Sequence, residues 1–194
     1  MEGNENTAVL DIWDKAFPDA EPLAWILREK KQKNWFRLYS LPNGKRYATN
    51  SKERAEVLRR SNFVFDTLFR DNKNEILTLI PVEKLSVEYE KFNRYNSKSL
   101  IELGYKKFFK YINNERGEIY LIYYEINLNN NEKFEGLINL ISKDIVMQPI
   151  FWNLKGTIFS PYDGGIDVFA FDEEQLNSFK KKLGEWLSDM PSGL

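Results

Sequence analysis

The segment Ile119–Glu125 constrains the fold of this chain more than any other part of the sequence. It reads Ile-Tyr-Leu-Ile-Tyr-Tyr-Glu, so the strand that it predicts has apolar or aromatic side chains on both faces. Successive residues of a strand point to opposite faces of a sheet, and an apolar face must be covered by protein. We therefore expect a central strand with a layer of helices on at least one side.

Hydrophobic periodicity predicts an α+β fold for the rest of the chain. The predicted helices span about Ala8–Phe17, Leu23–Lys31, Ser51–Arg70, Lys133–Ser142 and Glu173–Leu187. The predicted strands span about Trp35–Tyr39, Glu75–Ile80, Tyr105–Ile112, Glu118–Leu128, Ile145–Leu154, Thr157–Tyr162 and Ile166–Phe171. Residues 84–104 mix both periodicities and allow one short helix at Ser97–Leu103.

These elements predict a mostly antiparallel sheet of about five or six strands. N-terminal helices, one long central helix and a C-terminal helix are expected to pack on it. Helices lead and strands then dominate, without the regular alternation that gives a parallel sheet. A length of 194 residues without a linker rich in Pro, Gly or Ser suits a single globular domain, residues 1–194.

The composition excludes several kinds of site, because the chain contains no histidine and no cysteine. It lacks the usual general base at neutral pH, the thiolate nucleophile and most zinc ligands. With 28 basic and 29 acidic residues it also lacks the basic excess of a nucleic-acid-binding protein. The polar N-terminus and the short apolar runs predict a cytoplasmic protein with no membrane segment, and no cofactor is expected.

The first of two loop motifs is Pro161-Tyr162-Asp163-Gly164-Gly165-Ile166-Asp167, between two predicted strands. Asp-Gly and Gly-Gly are typical of tight hairpin turns that need positive φ angles. One interpretation is a plain turn, in which Asp163 bonds its own turn and Asp167 lies at a strand edge. The other is a binding site, in which backbone N–H groups hold an anion or the two carboxylates hold a hydrated metal. The candidate ligand-binding residues of this motif are Tyr162, Asp163, Gly164, Gly165 and Asp167.

The second loop motif is Ser40-Leu41-Pro42-Asn43-Gly44-Lys45-Arg46-Tyr47. Lys45 and Arg46, next to Tyr47, could bind a phosphate or carboxylate group, so these three residues are further candidates for ligand binding. The alternative is a solvated surface loop in which Arg46 pairs with an acidic neighbour. A separate basic and aromatic run, Lys106–Lys110, predicts either an edge strand or, less simply, a surface for single-stranded nucleic acid.

Together the two motifs, the capped helix after the first and the closing Trp-Leu helix resemble a family of uncharacterised small bacterial proteins. This resemblance covers most of the chain and implies a cytosolic single domain, with no established activity and no catalytic residues. In general style, small aromatic-rich α+β proteins without catalytic motifs also resemble bacterial immunity proteins, which neutralise toxins by binding.

The sequence leads to two hypotheses about function. The first is a non-enzymatic protein-binding protein, of the immunity or antitoxin kind, whose partner is another protein such as a toxin. The second is a small-ligand binder or an enzyme for a phosphorylated or carboxylated substrate, using Asp with Lys or Arg and a divalent metal. The two differ in whether the Lys45–Tyr47 loop and the Pro161–Asp167 turn lie together beside a concave pocket.

Overall fold

The computed structural model describes residues 2–30, 32–70, 75–82, 97–113, 118–128, 130–153 and 156–189. Its helices are α1 (Glu2–Ala16), α2 (Ala24–Lys30), α3 (Ser51–Phe69), α4 (Ser97–Glu102), α5 (Asn131–Ser142) and α6 (Glu173–Leu183). Its strands are β1 (Trp35–Tyr39), β2 (Ile76–Val82), β3 (Lys107–Asn113), β4 (Glu118–Ile126), β5 (Ile150–Asn153), β6 (Ile158–Tyr162) and β7 (Gly165–Phe169).

The strands form one sheet in the order β1-β7-β6-β5-β2-β4-β3, and every neighbouring pair is antiparallel. The α+β class is therefore confirmed. The sheet has seven strands, so the expected number of five or six was too low. All seven apolar runs of the sequence form strands, and they can share one sheet because helices cover both of its faces.

Two apolar cores lie on opposite faces of this sheet. Helices α3, α5 and α6 cover one face, where Phe65 of α3 contacts Phe134 of α5 and Phe151 of β5. Helices α1 and α2 cover the other face, where Trp13 packs edge-on against Trp152 at a ring separation of 5.6 Å. Strand β4 contributes to both cores, as its two apolar faces predicted, and it lies between β2 and β3.

Two predicted strand boundaries differ from the structure for identifiable reasons. The strand expected at Glu75–Ile80, stopped by Pro81, continues to Val82 as β2. Its pairing with β5 ends at Leu79, while its pairing with β4 continues through Pro81 and Val82. Proline is tolerated there because only one side of the strand still needs hydrogen-bond donors. The expected strand Ile145–Leu154 is reduced to β5, because residues 144–149 form the irregular connection from α5.

Three other expectations concern single segments. The short helix expected at Ser97–Leu103 is α4, whereas residues 83–96 lie outside the described residues. The basic and aromatic run Lys106–Lys110 enters β3 at Lys107, and β3 lies at one edge of the sheet, as the edge-strand interpretation predicted. At the other edge, a bridge between Leu38 and Leu187 places the C-terminal segment beside β1.

Candidate functional site

The two loop motifs meet in space, although they are far apart in the sequence. Nε of Arg46 donates to Oδ2 of Asp163 over 3.0 Å, and Nη2 lies 3.5 Å from Oδ1. The cause is the pairing of β1 with β7, which sets Tyr39 opposite Gly165. The loop that follows β1 and the turn that precedes β7 must therefore lie at the same end of the sheet.

A concave pocket of about 300 Å³ opens beside this contact. We call it the two-loop pocket; α2, the loop after β1, the connection from α5 to β5 and the β6–β7 turn form its walls. Its described lining residues are Trp25, Arg46, Tyr47, Asp144, Val146, Met147, Gln148, Tyr162 and Asp163. Of the eight candidate residues from the sequence, Arg46, Tyr47, Tyr162 and Asp163 line this pocket.

Arg46 lines the pocket with a side chain that is largely exposed to solvent. Its side chain is 62% exposed, whereas that of Asp163 is 12% exposed. The hydrogen bond and the charge of Asp163 raise the pKa of Arg46 above its ordinary value, so the guanidinium stays charged. Its guanidinium carbon also lies 5.2 Å from the ring centre of Tyr47, close enough for a cation–π contact. The loop arginine is thus held by a carboxylate and an aromatic ring.

Lys45 does not join its neighbour at the pocket. Its ammonium group binds Oε1 of Glu53 at 2.6 Å and the hydroxyl of Thr49 at 3.2 Å. Glu53 also accepts the backbone N–H of Thr49 at 2.8 Å, at the N-terminus of α3. Lys45 therefore fastens the loop to the start of this helix.

The two glycines of the turn provide space rather than unusual backbone angles. The expected positive φ is absent from Asp163, Gly164 and Gly165, so that part of the turn prediction was wrong. A Cβ at Gly164 would lie 2.8 Å from Cγ of Arg46. A Cβ at Gly165 would lie 2.7 Å from the carbonyl oxygen of Leu38. Both distances are shorter than real Cβ contacts, so glycine allows the Arg46 side chain and β1 to approach.

Asp167 lies beneath the pocket wall in what we call the buried ion cluster: Arg28, Arg37, Gln148 and Asp167. Its carboxylate is fully buried and accepts Nε of Arg37 at 2.8 Å and Nη2 at 3.1 Å. Nε2 of Gln148 donates to it at 2.9 Å, and Nη1 of Arg28 lies 3.5 Å away. Because β7 lies between β1 and β6, Asp167 lies inside the sheet. The plain-turn interpretation placed it at a strand edge and was wrong on this point.

Tyr162 joins the buried ion cluster to the pocket. Its ring lies over the guanidinium of Arg37 at 4.7 Å, and the residue also lines the pocket. Burial, the largest cause, raises the pKa of its hydroxyl to about 12, although the nearby arginines act in the opposite direction. The phenol is therefore neutral at physiological pH and can donate a hydrogen bond.

The sequence reasoning missed three polar residues of this region: Arg28, Arg37 and Gln148. A signal existed for Arg37, because it is the one charged residue of the aromatic strand Trp35–Tyr39. A charged side chain inside a strand that is otherwise apolar needs a buried partner. No local pattern marked Arg28 or Gln148, which reach the cluster from α2 and from the connection before β5.

Neither carboxylate that was considered as a metal ligand is free for that role. Asp163 binds Arg46, and Asp167 binds Arg37. Within the described ranges, no group of three or more acidic side chains is placed to hold a metal ion. None of the helices in the same ranges has the length and apolar character of a membrane span.

Comparison with known proteins adds the family of the chain. No curated protein and no solved structure matches this sequence. A family described as a domain of unknown function, DUF3885, matches residues 23–191, a range that runs from the start of α2 past α6 and includes the whole sheet. The chain therefore belongs to the DUF3885 family, whose function is not known.

Proposed function

We propose that this chain is a non-enzymatic protein-binding protein of the cytoplasm whose two-loop pocket takes a cationic side chain of its partner. The observation that carries the proposal is the contact between Arg46 and Asp163, which both line this pocket. That pair shows that the pocket already binds a guanidinium group, one supplied by the protein itself. A guanidinium or ammonium group of the partner would bind Asp163 in its place.

The surroundings of Asp163 suit a cation. Trp25, Tyr47 and Tyr162 line the pocket, and aromatic faces attract cations. Gln148 uses its NH2 group on Asp167 and on the carbonyl oxygen of Ser160, and it makes no other hydrogen bond to the described residues. Its own carbonyl oxygen is therefore available as an acceptor.

The competing hypothesis is a phosphorylated or carboxylated substrate, and the meeting of the two loops beside a concave pocket is what it expects. The charges at the pocket give it less support. It requires free cationic groups at the pocket. Lys45 binds Glu53 instead, and Arg46 is neutralised by Asp163. An anionic substrate would have to break the second pair and leave Asp163 unpaired. Within the class of binding proteins, we propose a protein of the immunity or antitoxin kind. The support for this choice is the aromatic-rich composition together with the α+β fold.

Substitutions of the pair separate the two hypotheses by the sign of their effect. Chemical-shift titration with N-acetyl-arginine amide would detect millimolar binding, with N-acetyl-citrulline amide as the uncharged control. Because Arg46 competes with the added guanidinium, Arg46→Ala is expected to tighten binding several-fold. Asp163→Asn is expected to weaken it by about tenfold or more, since charge-assisted hydrogen bonds contribute roughly 1.5–3 kcal/mol. Lys45→Ala is the matched control and should leave the affinity unchanged.

Titration of the same variants with inorganic phosphate tests the competing hypothesis. Saturable phosphate binding that Arg46→Ala abolishes would contradict our proposal, and so would equal affinity for the arginine and citrulline amides. The protein-binding part is tested by purification from the source cell. We expect an equimolar protein partner that Asp163→Asn loses and Lys45→Ala keeps, and recovery of no equimolar partner would refute it.

A further inference from the structure

A second and larger cavity lies at the opposite end of β6 and β7 from the two-loop pocket. Its volume is about 670 Å³, within the range of 300–1,000 Å³ that is common for small-molecule sites. It is formed between helices α1 and α2 and the face of the sheet that they cover. Its main apolar walls are Phe17, Leu27, Trp152, Ile158, Phe169 and Phe171.

The described residues that line this cavity include no charged side chain. Its polar groups are two side-chain amides, Asn34 and Gln175. Oε1 of Gln175 accepts the backbone N–H of Phe171 at 2.9 Å and the hydroxyl of Thr157 at 3.1 Å. Nδ2 of Asn34 donates to the carbonyl oxygen of Phe171 at 3.2 Å. These bonds fix the orientation of both amides and leave the NH2 group of Gln175 and the side-chain oxygen Oδ1 of Asn34 without a described partner.

Two further features favour a bound ligand. The indole N–H of Trp152, a lining residue that is 2% exposed, has no hydrogen-bond partner among the described residues. A buried donor of this kind costs free energy until an acceptor reaches it. Phe171 is 68% exposed, yet its backbone is fixed by Asn34 and Gln175 at the rim. A large apolar side chain held in solvent beside an apolar cavity gains free energy when a ligand covers it.

We propose that this cavity is a binding site for an uncharged, largely apolar small molecule. Its apolar body would lie against Trp152, Ile158 and Phe169, and one polar group would meet the amides of Asn34 and Gln175. A charged ligand would lose its hydration without gaining an oppositely charged partner among the described lining residues. The recessed shape and the volume fit a small molecule better than a partner protein surface.

The test uses two fluorescent probes that share one aromatic skeleton. N-phenyl-1-naphthylamine is uncharged, and 8-anilino-1-naphthalenesulfonate carries an added sulfonate. We expect saturable binding of the uncharged probe at one site per chain, and binding of the sulfonate at least tenfold weaker. No saturation with the uncharged probe, or equal affinity for both probes, would overturn the proposal.

Two alanines of helix α1 provide a matched pair of variants. Ala16 is exposed and lines the cavity, whereas Ala8 is exposed on the same helix and does not line it. Ala16→Trp is expected to block the uncharged probe and Ala8→Trp to leave its affinity unchanged. An equal effect of both would place the probe elsewhere and refute the site.

A second variant covers the case in which Ala16→Trp does not fold. Phe171→Ala removes an exposed ring at the rim and is expected to weaken the uncharged probe several-fold; unchanged affinity in that variant would also contradict the proposal. A shift of the Gly156 amide resonance when the probe is added would place the probe at this cavity. N-acetyl-arginine amide should leave that resonance unchanged. The proposal for this cavity and the proposal for the two-loop pocket are therefore tested independently.

Discussion

Among single residues, Asp167 has the most demanding environment. Its carboxylate has no solvent exposure and is stabilised by Arg37, with further contacts to Arg28 and Gln148. Burying an ion pair gives little net stability, because desolvation offsets the attraction. Removing one partner is costly, because the remaining charge is then buried without compensation. The cluster therefore fixes how β1, β7 and α2 fit together more than it adds to stability.

Substitution of Asp167 and of Asp163 should show that a buried ion pair is more costly to break than an exposed one. Asp167→Asn leaves Arg37 buried without its counter-ion, and we expect the free energy of unfolding to fall by about 3–5 kcal/mol. Asp163→Asn breaks a pair whose arginine is largely exposed, and we expect a loss of less than about 1 kcal/mol. Urea unfolding at neutral pH would measure both, and similar losses would contradict the distinction.

The sequence named Asp163, Asp167 and Arg46 as candidates but could not predict how they pair. Asp167 and Arg37 are 130 positions apart, and Arg46 and Asp163 are 117 positions apart. Both pairs depend on β7 lying between β1 and β6, a strand order that no local pattern specifies. The candidate residues could be recognised because charged residues and glycines are unusual in an apolar hairpin. Their partners depend on topology.

Among the elements, α3 shows how much local sequence can specify. Asn50 followed three residues later by Glu53 is a capping-box pattern that marks its start, and Oδ1 of Asn50 accepts the N–H of Glu53 at 2.9 Å. The Glu53 carboxylate turns back to the N–H of Thr49, one residue before the cap, and binds Lys45 as well. Helix caps were predictable because they involve residues three or four positions apart. The added bond from Lys45 depends on the path of the loop.

The helix cap at α3 gives a pH-dependent contribution to stability. Hydrogen bonding from Lys45 is the largest cause that lowers the pKa of Glu53 from 4.5 to about 2. A lowered pKa in the folded state means that the contribution is complete above about pH 4.5 and is lost as the pH falls toward 2. The difference in melting temperature between the wild-type protein and Glu53→Gln should shrink over that interval.

Lys45→Met provides the comparison for this prediction. Without the ammonium group the pKa of Glu53 should rise toward its ordinary value. The pH-dependent loss should still begin near pH 4.5, but it should be smaller and should end at a higher pH than in the wild-type protein. Melting temperatures from circular dichroism between pH 2 and pH 7 would measure both variants. A constant difference between the wild-type protein and Glu53→Gln at all pH values would contradict the assigned role.

At the scale of the whole molecule, two cores share one sheet. Strand β2 shows the arrangement, since Ile76 and Ile80 face the core under α3, α5 and α6, while Leu77 and Leu79 face the core under α1 and α2. The two apolar faces of Ile119–Glu125 predicted at least one layer of helices, and the structure has one on each side. The number of strands in the sheet was harder to predict from the sequence, because periodicity identifies strands but does not show which of them pair in one sheet.

A shared sheet implies that the two cores unfold together. Leu23, next to α2, and Leu137, in α5, are both fully buried but lie in different cores. Leu23→Ala and Leu137→Ala should each lower the free energy of unfolding by about 2–5 kcal/mol and keep a single transition. Losing either layer would expose one face of all the shared strands, so neither core can persist alone. Urea unfolding curves followed by circular dichroism and by tryptophan fluorescence should coincide in both variants. If fluorescence changes first in Leu23→Ala while the sheet is still intact, α1 and α2 form a separable layer and the prediction is wrong.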